Sequence, residues 1–232
     1  MNRIKLRLAS AIAIAIAAAA TAAPSLAHDD DTDAGGNISR VNKSISIDDG
    51  AKAGDLDTVN GSIRVGDNAT IRSAETVNGS VRLGRGAHAD SVDTVNGGIT
   101  LSEDVTVADD VEAVNGSIEL ERGADVVGEL SNVNGAIEVR AAHVGGRIET
   151  VAGDVRILDG ARVDGGILVE KPSGSNFSWK QNRPPRIVIG ENAVVGGELR
   201  FDREVDLHVH STAKIGKVIG AEPKRYTGSA PF

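Results

Sequence analysis

The 232-residue chain has no cysteine, one Met and five aromatic residues, and none of the aromatics precedes Phe177. Without thiols there are no disulfides, no cysteine-ligated metal, no lipoprotein attachment and no thiol nucleophile. Without early aromatics, a core in the first three quarters has only Val, Ile, Leu and Ala to draw on. This argues against the bulky aromatic interior usual for an enzyme domain and for thin, regular aliphatic layers. Basic charge is also short: 25 Lys and Arg stand against 33 Asp and Glu. A net-acidic chain is repelled by phosphate backbones, so nucleic acid is not an expected partner. With 40% hydrophobic and 25% charged residues the chain is nevertheless able to bury a core.

Residues 1–27 read as a secretory signal peptide. Arg3, Lys5 and Arg7 precede an Ala/Ile-rich stretch, and Ser25-Leu26-Ala27 sets small residues at a cleavage site before His28. The apolar run is too short and too Ala-rich for a membrane anchor, so an exported protein with no membrane span after cleavage is expected, in the periplasm or at the cell surface. Residues 28–38 follow as an acidic, flexible segment. With no disulfides, the exported chain must hold together through packing and backbone hydrogen bonds.

What the chain has in abundance is a repeat. Val-Asn recurs at Asn42, Asn60, Asn78, Asn96, Asn115 and Asn134, with spacings of 18, 18, 18, 19 and 19, and Gly follows the last five. Each Asn-Gly precedes an aliphatic pair two residues apart, such as Ile63/Val65 or Val81/Leu83, then a polar turn and a second small or aliphatic pair. A fixed period near 20 signals a stacked array. Asn-Gly is also a hairpin signal, but a hairpin across Asn78-Gly79 sets Thr76 opposite Val81 and Val77 opposite Ser80. That mixes apolar and polar residues on each face at every repeat. A parallel coil, with Asn-Gly as a corner and Val77 and Val81 both inward, avoids the conflict.

The expected fold is therefore all-β: a single-stranded parallel β-helix of about nine coils of 18–19 residues over 39–220, right-handed winding favoured, with a C-terminal tail at 221–232. Coils stacked at about 4.8 Å place Val59, Val77 and Val95 in one interior column. About five aliphatic side chains per coil, roughly 1.5–3 kcal/mol each on burial, must offset the ordering of the whole coil, so coils depend on their neighbours. The six Asn form a structural ladder, each amide donating to one neighbour and accepting from the other, with the adjacent Gly supplying a left-handed corner.

The repeat breaks at residues 171–186, where Phe177, Trp179, Lys180, Arg183 and Arg186 occur without an acid, and Pro184-Pro185 stiffens the return. Aromatics flanked by cations suit a sugar ring or an acidic chain, so these five are the candidate binding residues, with a glycan or another envelope component as partner. Charge is uneven: residues 28–170 carry 27 acids and 12 bases, and 171–232 carry 6 and 10. An acidic front and a basic rear suit end-to-end self-association. His208 and His210 alternate on one strand and share an outer face, but no third ligand is evident. His88 and His143 fall near turns and read as solvent-exposed. No nucleophile–base constellation emerges. No catalytic residue, metal site or cofactor is expected.

The Val-Asn-Gly-Ser-Ile-x-Val coils from Arg40 to about Ile167 resemble the bacterial adhesin beta-strand-repeat family. The later run Ile187–Leu199, with Gly190-Glu191-Asn192-Ala193-Val194-Val195-Gly196-Gly197, is similar to the polymer-forming bactofilins. These resemblances imply a bacterial β-solenoid with a structural, adhesion-like or self-assembly role in the cell envelope and no catalytic residues. Aliphatics six apart (Val59, Val65, Ile71, Val77, Leu83) also resemble left-handed hexapeptide-repeat acyltransferases, but the accompanying Gly and small residues are intermittent. A polysaccharide-binding or polysaccharide-modifying β-helix using loop 171–186 is the alternative function.

Overall fold

Alternation of inward apolar and outward polar residues, broken by tight turns, winds the chain into three parallel sheets. The computed structural model describes residues 36–172 and 183–231; the signal peptide, most of the acidic segment, and Phe177, Trp179 and Lys180 lie outside them. The first sheet has ten strands, including Ile38–Arg40, Asp55–Asn60, Ser73–Asn78, Ser91–Asn96 and Val111–Asn115. A second ten-stranded sheet contains Ile63–Val65, Val81–Leu83 and Ile99–Leu101, and a third, of seven two-residue strands, starts at His88–Ala89. Every strand pairs in parallel with its equivalent one coil away (Leu56↔Ala74↔Val92, Ile63↔Val81↔Ile99). The chain is a β-solenoid of about nine turns.

Each coil points six side chains inward, two from each wall. Val92, Thr94, Ile99, Leu101, Val105 and Val107 are all buried, and all but Thr94 are fully so. Coil by coil the other five positions hold Leu, Ile, Val or Ala, and Phe201, in the column of Thr94, is the one aromatic among the described core residues. Nearest-neighbour stacking of like on like buries a stripe that one coil alone leaves exposed.

The inward member of the first wall is not the Val expected from the repeat. Val41 is 51% exposed, Val59, Val77, Val95, Val114 and Val133 are half-buried, and Val151 joins Val114 and Val133 in a small cluster outside the main core. The residue before each Val turns inward instead: Thr58, Thr76 and Thr94, then Ala113, Asn132 and Thr150. A buried hydroxyl needs a partner. Thr58, Thr76 and Thr94 find one by donating to the carbonyls of Lys43, Gly61 and Gly79, at 2.9–3.1 Å. Asn132 donates to Gly116 C=O, and Thr150 donates to Asn132 Oδ1.

The corners also divide their work differently from the expectation. Gly61, Gly79, Gly97 and Gly116 do not have positive φ. They are needed because a Cβ on Gly97 would run into the carbonyl oxygen of Gly79, and one on Gly79 into that of Gly61. The left-handed corner lies between the second and third sheets, at Gly50, Asn68, Gly86, Asp104, Gly123, Ala141, Gly160 and Asn192. All but one are Gly, Asn or Asp, the residues that tolerate this conformation. The exception is Ala141, with φ 44°.

In chain order the insertion 171–186 falls between a strand of the first sheet and one of the second, where Asn-Gly stands in earlier coils. The chain leaves after Ile167–Val169 and rejoins at Arg186–Ile189, where Ile187 pairs with Val155. The C-terminal tail adds a last strand, Lys224–Tyr226, to the second sheet.

Two substitutions test the corner assignments. Gly97→Ala should destabilise by about 1–3 kcal/mol through overpacking of backbone on backbone. Ala141→Gly should stabilise by about 1 kcal/mol by relieving a left-handed alanine. Urea unfolding monitored by circular dichroism measures both.

Candidate functional site: an acidic column on the outer face of the first sheet

In the first sheet, Leu56 and Thr58 face the core, so Asp55, Asp57 and Val59 face outward. Parallel register repeats this arrangement in each coil. The middle outward column reads Ser39, Asp57, Glu75, Asp93, Glu112, Ser131, Glu149, Leu168 and Arg200. Four carboxylates thus occupy four successive rungs, and a fifth follows after one serine. The column is flanked on one side by the half-buried valines and on the other by Asp55, Ser73 and Ser91.

Neighbouring rungs are about 4.8 Å apart. Ionised carboxylates at that distance repel by a few kcal/mol at an effective dielectric of about 20. Glu112, Ser131 and Glu149 are 8%, 5% and 6% exposed, so water screens them little. Burial, then repulsion from Asp57 and Asp55, pushes Glu75 up to about 7. Burial, then repulsion chiefly from Glu112 and Glu75, pushes Asp93 up to about 8. At the column's ends cations intervene. Arg72 makes a 2.5 Å ion pair with Asp55, and Arg147 lies 3.2 Å from Glu129 and 3.4 Å from Glu149. Beyond Glu149 the face opens into a cleft of about 360 Å³ lined by Arg147, Leu168, Glu198, Arg200 and Asp202 among others. Its cations are already paired, Arg200 with Asp202 at 2.9 Å.

The Asn column solves the stacking problem that the acids do not. Asn60 donates to Asn42, Asn78 to Asn60, Asn96 to Asn78 and Asn115 to Asn96, at 2.7–3.0 Å. The amides of Asn42, Asn60, Asn78, Asn96 and Asn115 stand exposed at the corner. Asn134 continues the column through its carbonyl, which accepts from Gly116 N–H at 2.9 Å.

Of the proposed loop residues, only Arg183 and Arg186 fall within the described residues, and both are engaged. Arg183 makes a bidentate pair with Asp154, at 2.6 and 3.0 Å. Arg186 donates its backbone N–H to Asp154 at 2.8 Å, and its Nε lies 3.5 Å from Asp206. Burial opposes ionisation of Asp154, but the Arg183 and Arg186 hydrogen bonds outweigh it and hold its pKa below the usual range. These contacts tie the returning end of the insertion to the preceding coil.

The histidines separate. His208 pairs with Asp206 at 2.9 Å. His210 is buried against the edge of Tyr226, with ring centroids 5.1 Å apart, and its Nδ1 meets Thr212 Oγ1 at 2.9 Å. Asp206 is held down to about 2 by hydrogen bonds from Lys224 and His208. His143 is half-buried rather than simply solvent-exposed. It bridges Asp125 at 2.7 Å and Asp164 at 3.1 Å, and the Asp125 hydrogen bond leads in raising its pKa. Sequence reading missed this bridge because the three residues meet only once coils are stacked. The acidic column was missed for a related reason: its members follow an aliphatic residue and precede Thr or Ala, and their outward direction emerges only when Val59 and its equivalents are turned outward too.

Among the described residues no three His, Cys, Asp or Glu side chains converge as a metal centre, and no helix is long and apolar enough to cross a membrane. Comparison with protein-family models, curated proteins and solved structures finds no match to this chain.

The raised carboxyls make a pH prediction. The folded state binds more protons than the unfolded one between the ordinary carboxyl range and about pH 8, so this contribution to stability is fully present at acid pH and lost as pH rises. Asp93→Asn removes one charge from the column. With about 1 kcal/mol of repulsion and desolvation relieved, its Tm at pH 8.5 should exceed the parent's by about 2–4 °C. Near pH 4 the two should melt together.

Proposed function

We propose that the chain is an exported, non-enzymatic β-solenoid with a structural, self-assembling role in the bacterial cell envelope. The observation that carries this reading is the state of the sheet edges. Among the described residues, Ile38–Arg40 and Ile45–Ile47 at one end each pair with one strand neighbour. At the other end the same holds for Lys214–Ile215, Val218–Ile219 and Lys224–Tyr226. Open parallel edges offer unpaired backbone donors and acceptors to another copy. A head-to-tail contact that does not close generates a filament. The N-terminal signal sequence supports export, and the regular, aliphatic, disulfide-free stack suits a load-bearing rod.

The charge pattern changes how such joining responds to salt. The acidic excess lies in the middle coils: residues 55–170 carry 21 acids and 9 bases. The described first coil, 36–54, has Arg40, Lys43 and Lys52 against Asp48 and Asp49, while 205–231 has Lys214, Lys217, Lys224 and Arg225 against Asp206 and Glu222. With Asp29, Asp30, Asp31 and Asp33 ahead of that coil the N-terminal end is net acidic and the C-terminal end net basic, so the two attract at low ionic strength and the attraction weakens as salt screens it. Sedimentation velocity should show elongated species at low salt that shrink as salt is raised to physiological strength, with filaments visible by electron microscopy at low salt. A monomer at both salt levels and high protein concentration would overturn the self-assembly reading.

A further inference from the structure

The outward column of the third sheet reads His88, Thr106, Asp125, His143, Arg162, Val194 and Lys214. At its centre one side chain reaches across three coils. Nδ1 of His143 lies 2.7 Å from Oδ1 of Asp125, one coil before, and Nε2 lies 3.1 Å from Oδ2 of Asp164, one coil after. Both are hydrogen-bond distances. An ionised carboxylate only accepts, and a neutral imidazole carries one N–H. A neutral ring therefore satisfies one of these contacts and turns a lone pair toward a carboxylate oxygen at the other. The imidazolium donates to both.

We propose that His143 is a proton-operated staple in the third wall: doubly protonated, it ties the coil of Asp125 to the coil of Asp164 across its own, and on losing a proton it releases one of them. The third wall is where such a tie counts. Its strands are two residues long, so each coil has a short run of backbone bonds to the next. Between the coils of His143 and Arg162 these include Arg162 N–H to Ala142 C=O and Asp164 N–H to Val144 C=O, both at 2.9 Å. The coil of Asp164 is also the last before the chain leaves at 171–186. The staple thus fastens the coil beside the insertion to the two that precede it.

The charged groups around the ring favour the closed state. Asp125 and Asp164 face it directly. Arg162, on the next rung, is engaged with Asp164, its Nε 2.7 Å from Oδ1 while the imidazole takes Oδ2. At the adjoining corners Arg140 is turned to Glu138 and Asp159, and Arg122 to Glu103. The turns that follow the strands, Val127-Gly128 and Gly145-Gly146, bring no charge. The Asp125 hydrogen bond leads in raising the pKa of His143, against burial, and the His143 hydrogen bond leads in lowering that of Asp164. Stabilisation from the raised histidine is complete below its ordinary value of 6.5 and lost as pH rises through the folded value. That from Asp164 is lost only as pH falls through its own lowered value. The staple is closed in mildly acidic solution and open in alkaline.

Nuclear magnetic resonance of the histidine ring nitrogens and amide hydrogen exchange, both on the full chain, test the staple. At pH 6 both ring nitrogens of His143 should carry protons. The ring should titrate at a higher pH in the folded chain than in the same chain unfolded in urea, and Asp125→Asn and Asp164→Asn should each lower that midpoint. After correction for intrinsic rates, the Arg162 and Asp164 amides should exchange about threefold or more faster at pH 9 than at pH 6. His143→Gln should remove this difference. The ring titration needs no variant, so it decides the matter even if His143→Gln fails to fold. A midpoint at or below the unfolded one, or an exchange difference that persists in His143→Gln, would overturn the proposal.

Discussion

Backbone hydrogen bonding from coil to coil, in strict register, is the constraint on which everything else in this molecule rests. Gly61 N–H donates to Asn78 C=O, Gly79 to Asn96, Gly97 to Asn115 and Gly116 to Asn134, and the pattern repeats around the three walls. Once strands are locked at this spacing, a residue's nearest neighbours are its own equivalents above and below. A position that works must work when stacked on itself. Aliphatic side chains meet that condition inside, where Ile99 rests between Val81 and Ile118. Glycine meets it at the corner where one backbone presses on the next, because any Cβ would strike a carbonyl.

Polar residues meet the same condition only if they both donate and accept. The amides of Asn42 to Asn115 do so, and Asp67 does so by combining two groups: its backbone N–H donates to the Asp49 carboxylate while its own carboxylate accepts from Arg85 N–H. Carboxylates in the middle of the first sheet have nothing to donate unless they hold a proton. This is why the Asn ladder is a quiet structural device, whereas the column from Asp57 to Glu149 has displaced pKa values and a hydroxyl without a partner. Two ladders on one wall, differing by an amide against an acid, therefore differ in whether stacking on themselves satisfies them.

The C-terminal end is net basic, while the middle coils carry the acidic excess on a wall whose described strands are all paired. Asp154, clamping Arg183 and the Arg186 backbone, lets the chain leave at 171–186 and return in register. The stack therefore continues through Ile187 and Val209 without loss of its core.

The repeat in the amino-acid sequence determined the parallel coil, the coil length, the Asn column and the position of the insertion, because a period of 18–19 residues with paired aliphatics admits one economical stacking. It left open which of two adjacent residues, Thr76 or Val77, points inward, since either choice preserves the period. The structure decided for the threonine because its hydroxyl reaches the Gly61 carbonyl beneath it, and that half-step turned the valines out and aligned Asp57, Glu75, Asp93 and Glu112 on one outer face. The left-handed corner at Gly86, Asp104 and Gly123 was likewise visible as composition but not as conformation. Distances of one coil, about 4.8 Å in space but 18–19 residues in sequence, are what only the tertiary structure supplies. The His143 bridge and the Asp154 clamp both depend on them.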